Sequence, residues 1–191
     1  MKSLKGTETE QNLLKSFAGE SQARMRYTMF SKQAQKDGFE QIAAIFLETA
    51  EQEAEHAKKF FSYLEGGMVE ITAGYPAGKV GTTAENLLAS AQGEHDEWED
   101  VYPHFAEVAD KEGFDNIAAT FRKIANVEAA HEKRYRRLLE RVEKQQVFAR
   151  DEEITWQCRK CGYVFHGKEA PKACPVCAHP QAYFEAEKQN Y

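Results

Sequence analysis

Two copies of a Glu-x-x-His signature, Glu53-Ala-Glu-His56 and Glu128-Ala-Ala-His131, stand 75 residues apart in this chain. Each has a lone glutamate upstream, Glu20 and Glu94, at distances of 33 and 34 residues. On a helix, an i, i+3 spacing sets a carboxylate and an imidazole side by side on one face. Two such helices facing two glutamate-bearing helices supply the ligands of a carboxylate-bridged pair of metal ions inside a bundle. Hard and borderline oxygen and nitrogen donors suit iron or manganese, and zinc accepts the same ligands, so spacing leaves the metal open.

A second, softer donor set lies near the C-terminus. Cys158-Arg-Lys-Cys161 and Cys174-Pro-Val-Cys177 hold all four cysteines of the chain. That spacing predicts a tetrahedral four-thiolate site, compatible with Zn²⁺ or iron. Gly162 after the first pair favours a tight knuckle whose N–H groups point at sulfur; Ala178 takes the matching place after the second. A structural zinc ribbon is the plainer reading, but beside a site whose turnover needs electrons an iron electron carrier is the better one. A disulfide framework is disfavoured by the paired spacing and by a start with no apolar signal core, so a reducing compartment is expected and export is not.

Four long helices must position the first donor set. Their expected spans are about Gly6 to Lys36, Phe39 to Leu64, Thr82 or Thr83 to Lys111, and Phe114 to Gln146. Asp37-Gly38 and Gly113 mark tight turns, so each pair is expected to be an antiparallel hairpin. The stretch from Gly66 to Gly81, with Pro76, is too long for a turn and predicts a crossover along the bundle. That connectivity is ferritin-like rather than simple up-down-up-down. The hairpins repeat each other: Gly38-Phe-Glu-Gln-Ile-Ala-Ala-Ile-Phe46 matches Gly113-Phe-Asp-Asn-Ile-Ala-Ala-Thr-Phe121 at the same offset of 75. An internal duplication predicts a pseudo-twofold bundle with equivalent ligands from each half.

Periodicity places the donors inside. Ile42, Phe46, Thr49, Glu53, His56 and Phe60 form one stripe, and Ile117, Phe121, Ile124, Glu128, His131, Tyr135 and Leu138 another. Leu13, Phe17, Glu20, Tyr27 and Phe30, and Leu87, Ala91, Glu94, Trp98 and Val101, complete the core. Four carboxylates aimed at one apolar interior require cations. Glu97 breaks the duplication, since its counterpart is Ala23, and stands one turn from Glu94 as a further candidate ligand. Tyr27 and Tyr102 are placed to hydrogen-bond ligating carboxylates or to pack as core aromatics, whereas His95 and His104 are expected outside the site. Pro103 predicts a bend near Val101 to Phe105, either a structural kink or a π-bulge at a functional site.

Beyond Arg150 the helical period disappears, and aromatic residues alternate with glycine, proline and cysteine. The expected division is a bundle over 1–148 and a small metal-held β domain over 149–191, too short for much core of its own. The composition is 42% hydrophobic, with no apolar run long enough to span a membrane. A net charge of −6 speaks against nucleic-acid binding. The local run His131-Glu-Lys-Arg-Tyr-Arg-Arg137 suits the end of a long helix, where cations complement the dipole.

Over essentially its whole length the chain resembles the rubrerythrins, on the motifs quoted above. The resemblance implies a non-haem diiron centre held by Glu20, Glu53, His56, Glu94, Glu97, Glu128 and His131. Glu53 and Glu128 would bridge, Glu20 and Glu94 would be terminal, and Glu97 and His56 would exchange at one iron with oxidation state. It also implies a rubredoxin-like iron on Cys158, Cys161, Cys174 and Cys177, although only 12 residues separate Cys161 from Cys174, fewer than in free-standing rubredoxins. The implied activity is NAD(P)H-linked reduction of hydrogen peroxide in the cytoplasm, with rubredoxin or a similar redox protein as donor. The rival readings are iron oxidation and storage by a ferritin-like shell, an interaction protein bearing a zinc ribbon, and an oxygen-dependent hydroxylase or oxidase. Helix length adds an expectation. From His131 to Gln146 is about 22 Å at 1.5 Å per residue, a long way for an electron to tunnel. A head-to-tail homodimer, the arrangement known for rubrerythrins, would bring one subunit's thiolate iron beside the other's diiron site.

Overall fold

The computed structural model describes residues 2–190. Helix α1 runs Glu8–Lys36 and α2 Glu40–Phe61; after a long crossover come α3 (Thr83–Asp96), a π-helical turn (Glu97–Val101), α4 (Tyr102–Lys111) and α5 (Asp115–Glu143). The expected third helix is therefore two α segments joined by a π turn. The second and fourth end about one turn earlier than periodicity suggests. After Phe61 the chain tightens into i→i−3 bonds at Tyr63 and Leu64, and Gly66, at φ 80°, turns it away from the helix.

Both hairpins close by the same device. Gly38 (φ 85°) and Gly113 (φ 78°) adopt the left-handed conformation. Phe39 N–H then reaches Ala34 O, and Phe114 N–H reaches Ala109 O, each at 2.8 Å, in paired Schellman turns. The residue before each glycine caps the opposite hairpin. Asp37 Oδ2 accepts from Thr83 N and Oγ1 at 2.9 and 2.6 Å, and Glu112 Oε2 accepts from Thr9 N and Oγ1 at the same distances. Each carboxylate also lies at a helix N-terminus, where the dipole favours it. These reciprocal caps lock the two halves about their pseudo-twofold.

The apolar interior falls into two clusters. One gathers Tyr27, Phe30, Ile42, Phe46, Tyr135 and Leu138; the other gathers Leu13, Phe60, Tyr102, Ile117, Phe121 and Ile124. On α1, α2 and α5 the predicted ligands sit in the sequence between these clusters, so the donors occupy a polar waist between two greasy halves.

The C-terminal unit is a three-stranded antiparallel sheet of β1 (Ala149–Cys158), β2 (Val164–Glu169) and β3 (Phe184–Ala186), in the order β2-β1-β3. Its core is Trp156, Phe184 and Ala170 against Cys158 and Cys174. Phe148 stacks on Phe39 at 6.0 Å, and the β domain thereby docks on the α1–α2 turn. Among the described residues no helix is long and apolar enough to cross a membrane.

Candidate metal centres

Helix geometry converts the two Glu-x-x-His signatures into one cluster. Ligand atoms of Glu20, Glu53, His56 and Glu128 lie within 4.8 Å of one another, as do those of Glu53, Glu94, Glu128 and His131. Glu53 and Glu128 belong to both groups. His56 Nδ1 is 2.9 Å from oxygens of both, and His131 Nδ1 is 3.2 and 2.8 Å from the other oxygens of the same pair. Despite these distances the contacts lack hydrogen-bond alignment. Eight buried atoms are left without a partner: Oε2 of Glu20 and Glu94, both oxygens of Glu53 and Glu128, and Nδ1 of His56 and His131. Each such orphan costs about 1–3 kcal/mol, and more when charged. Donors that converge without pairing are what two shared cations require, and two divalent ions would cancel the four carboxylate charges.

The other oxygens of the outer carboxylates are satisfied crosswise. Tyr27 OH donates to Glu94 Oε1 and Tyr102 OH to Glu20 Oε1, both at 2.5 Å. Each tyrosine thus serves the glutamate of the opposite hairpin and leaves that carboxylate one free oxygen for the centre.

Without cations, protons must hold the cluster together. Burial pushes Glu20 and Glu97 well above the usual carboxylate range, with neighbouring carboxylates adding to it. Burial also lifts Glu94 to about 8, against the pull of His131. The imidazoles would be lowered by burial, but contact with Glu128 and Glu53 outweighs it and holds His56 up at about 9 and His131 at about 12. Burial would likewise raise Glu53, yet the two imidazoles hold it down at about 2.

Glu97 stands apart from both four-residue groups. It opens the π turn, where Tyr102 N–H bonds back to Glu97 O, and it lines a cavity of about 320 Å³ with Tyr27 and Tyr102. The turn has a sequence cause. Glu20 to Tyr27 is seven residues but Glu94 to Tyr102 is eight; the π turn absorbs the extra one and keeps both tyrosines in register. The difference between 33 and 34 in the upstream spacings is its trace. His95 contacts Glu132 at 3.2 Å and His104 is exposed, so neither joins the cluster. Periodicity missed Gln52, whose Oε1 is 2.9 Å from His131 Nε2 and is held in turn by Arg134 Nη2 at 3.2 Å. It also missed Glu132, which accepts from Trp98 Nε1 at 2.5 Å and fastens the π turn to α5.

In the β domain the four sulfurs lie within 4.8 Å of one another. Cys158 Sγ to Cys177 Sγ is 3.8 Å and Cys161 Sγ to Cys174 Sγ is 3.6 Å. Those are edges of a tetrahedron with metal–sulfur bonds of about 2.3 Å, far longer than a disulfide. The knuckles match: Gly162 N–H bonds to Cys158 O and Ala178 N–H to Cys174 O, both at 2.9 Å. Ala178 reaches this geometry at φ 59° without being glycine. Burial would raise Cys174, but the N–H groups of Cys177 and Val176 outweigh it and bring the thiol down to about 7.

A crossover bundle with a carboxylate–histidine site for two metals, joined to a four-thiolate knuckle pair, defines a ferritin-like diiron oxidoreductase with a rubredoxin-like centre. Comparison with known proteins specifies it further. The rubrerythrin family model matches residues 11–139, and the model of the rubredoxin-like domain of rubrerythrin matches 156–185. The chain is 66% identical to the rubrerythrin of Porphyromonas gingivalis over 190 residues, covering 100% of this chain and 95% of that one. It is 54% identical to the rubrerythrin of Nitratidesulfovibrio vulgaris, covering 97% of each. The structure of fully reduced, all-ferrous nigerythrin superposes with a TM-score of 0.64 at 30% identity, over 96% of this chain and 91% of the other. A bacterioferritin of Desulfovibrio desulfuricans shares the fold, with a TM-score of 0.63 at 23% identity over 73% of this chain and 82% of the other. The chain belongs to the rubrerythrin family and carries its two kinds of iron site.

Proposed function

We propose that this protein is a peroxidase that reduces hydrogen peroxide to two waters. The observation that carries the reading is the pair of orphaned donor sets sharing Glu53 and Glu128 beside a cavity that Glu97 lines, in a chain that also holds four thiolates. Glu20 and His56 would hold one iron, Glu94 and His131 the other, and Cys158, Cys161, Cys174 and Cys177 a third. When bound, the iron pair supplies two electrons together, avoiding one-electron release of hydroxyl radical, and the thiolate iron returns them singly. Tyr27 and Tyr102 orient Glu94 and Glu20 through the hydrogen bonds described above. Glu97, raised by burial, carries a proton at the cavity's inner end and delivers it to a peroxide oxygen. The donor is a rubredoxin or similar redox protein drawing on NAD(P)H, in the cytoplasm, for protection against oxidative stress. The division of labour follows the sequence at residue 148, with the bundle before it and the electron-transfer domain after it.

The test is Glu97→Ala under saturating donor. Peroxide turnover is expected to fall about 10²-fold or more, the scale of a lost general acid, while iron content stays near wild type. An unchanged rate would remove Glu97 from the chemistry. Iron storage by a hollow shell, the main alternative, predicts a large assembly with many irons per chain. A zinc-ribbon interaction protein predicts a colourless four-cysteine site, whereas ferric thiolate is red.

Electron supply motivates a homodimer. The β domain docks at the Phe39 end of α2, and Phe39 is 14 residues, about 21 Å of helix, from Glu53. A partner's thiolate iron offers a shorter route. In heterodimers that pair a Glu53→Ala, Glu128→Ala subunit with a Cys158→Ser, Cys161→Ser subunit, donor-dependent activity should reappear. If true heterodimers stay inactive, the route lies within one chain.

A further inference from the structure

The cavity beside Glu97 is far larger than hydrogen peroxide needs. Its volume is about 320 Å³, whereas a water-sized molecule occupies about 30 Å³. Its inner end is polar, made by Glu97 with Tyr27 and Tyr102, the two residues that hydrogen-bond the outer carboxylates. Ala23, Val101, Phe105, Tyr75 and Pro76 give it an apolar side, and Lys15, Arg26 and Asp96 also line it. An apolar side leading to the polar groups around Glu97 suits an organic molecule carrying one reactive head.

The crossover covers this space. Tyr75 OH donates to Lys15 O at 2.7 Å and anchors the segment on α1. Beneath its ring lies Gly19, next to the ligand Glu20. A methyl group at position 19 would stand 3.6 Å from Tyr75 Cε1 and 4.0 Å from Glu97 Oε1. The missing side chain at Gly19 therefore keeps open the passage between the Tyr75 ring and the Glu97 carboxylate. Its counterpart in the duplicated half, Gly93, faces Arg26 Nη2 at 3.6 Å instead.

We propose that this cavity makes the protein a reductase of small organic hydroperoxides as well, with the peroxide group at Glu97 and the apolar tail between Tyr75, Val101 and Phe105. The assignment rests on the peroxidase reading of the same site. The O–O bond breaks, two electrons come from the same redox-protein donor, and two protons complete the products. One oxygen leaves as the alcohol R–OH and the other as water. Gly19 and Tyr75 are specificity-determining residues for the tail.

The test compares cumene hydroperoxide with hydrogen peroxide on the holoprotein, and measures binding of the unreactive cumyl alcohol by titration calorimetry. The expected kcat/KM for cumene hydroperoxide lies within about tenfold of that for hydrogen peroxide. Gly19→Leu, which fills the passage, should lower the ratio of the two by about tenfold or more and abolish alcohol binding; Gly19→Ala should shift both in the same direction by less, the scale expected for methylene-sized changes in a pocket. Circular dichroism and iron content establish that the variants are folded and loaded, and Gly19→Ala decides the matter if Gly19→Leu is not. Turnover of hydrogen peroxide with no turnover of cumene hydroperoxide and no alcohol binding overturns the substrate assignment and leaves the peroxidase reading standing. Turnover of neither peroxide overturns both. A ratio unmoved by either Gly19 variant also overturns it, because the tail would then lie elsewhere.

Discussion

The two halves of the bundle repeat one helical hairpin with its Glu-x-x-His signature, yet they treat their histidines differently. His131 is fixed from behind: its Nε2 meets Gln52 Oε1, which Arg134 steadies while also bonding Thr49 Oγ1 at 2.6 Å. At the offset of 75, the residue matching Gln52 is Val127, an apolar side chain on the protein surface. No hydrogen bond to His56 Nε2 is found among the described residues, and the His56 side chain is 14% exposed against 5% for His131. Within the half that contributes His56, it is Gly19 that Glu97 approaches, its Oε1 standing 4.0 Å from where a methyl at that position would lie. Duplication supplies two similar donor-bearing halves; small departures from it leave His131 anchored and His56 without the matching anchor. Tyr135 against Phe60 is a further departure, placing an unpartnered hydroxyl on one side only.

The comparison breaks most severely at the residues the halves share. Glu53→Gln should strip both irons from the bundle, because Glu53 belongs to both donor groups, with peroxide turnover down by about 10³-fold or more. Glu20→Gln should release mainly one. Iron-to-protein ratios with the thiolate iron counted separately decide it, and equal losses from both variants would contradict the shared-ligand assignment.

Removing the metals should expose the proton bookkeeping of the cluster. Glu94 lies raised at about 8 and His56 at about 9. A raised group contributes stability that is present below its unfolded value and declines as pH rises toward its folded one. The metal-free protein should therefore lose stability between about pH 6.5 and 9 through His56, on top of a loss through Glu94 from about pH 4.5 to 8. The iron-loaded protein should not follow it, since metal binding takes the deprotonated ligands. Thermal melts of both forms across this range provide the measurement, and parallel curves would argue against a protonated cluster.

A smaller effect is expected from Gln52→Leu, which removes the anchor of His131. Metal affinity or turnover should fall about 10- to 100-fold, the usual scale for such outer hydrogen bonds. Val127→Gln, which copies the anchor onto the other half, should slow cycling while leaving iron content intact. Rapid-mixing spectroscopy of reoxidation separates the two, and identical behaviour would mean the asymmetry at the histidines is incidental.

Much of this protein was legible in one dimension. Helical periodicity put Glu20, Glu53, Glu94, Glu128 and His131 in buried stripes, and all are at most 4% exposed. The glycines ended both hairpins where the turn geometry needs a positive φ, and the cysteine spacing is local enough to dictate its own knuckles. Fold class and the two kinds of donor set follow from such short-range rules. What needed the tertiary structure was everything set across helices. Tyr27 pairs with Glu94 rather than with Glu20 on its own helix, because a helical neighbour seven residues away stands about two turns off along the axis. Gln52 reaches His131 only because α2 and α5 come together at the waist. The π turn left a one-residue mismatch in spacing, but its place at Glu97–Val101 and the tie of Trp98 to Glu132 of α5 came only from the structure. The cavity depends on a crossover with no period of its own, laid over Gly19 by one hydrogen bond from Tyr75. Sequence determines which residues share a face of a helix, because backbone geometry is local; which faces meet, and what room they leave, is decided by packing.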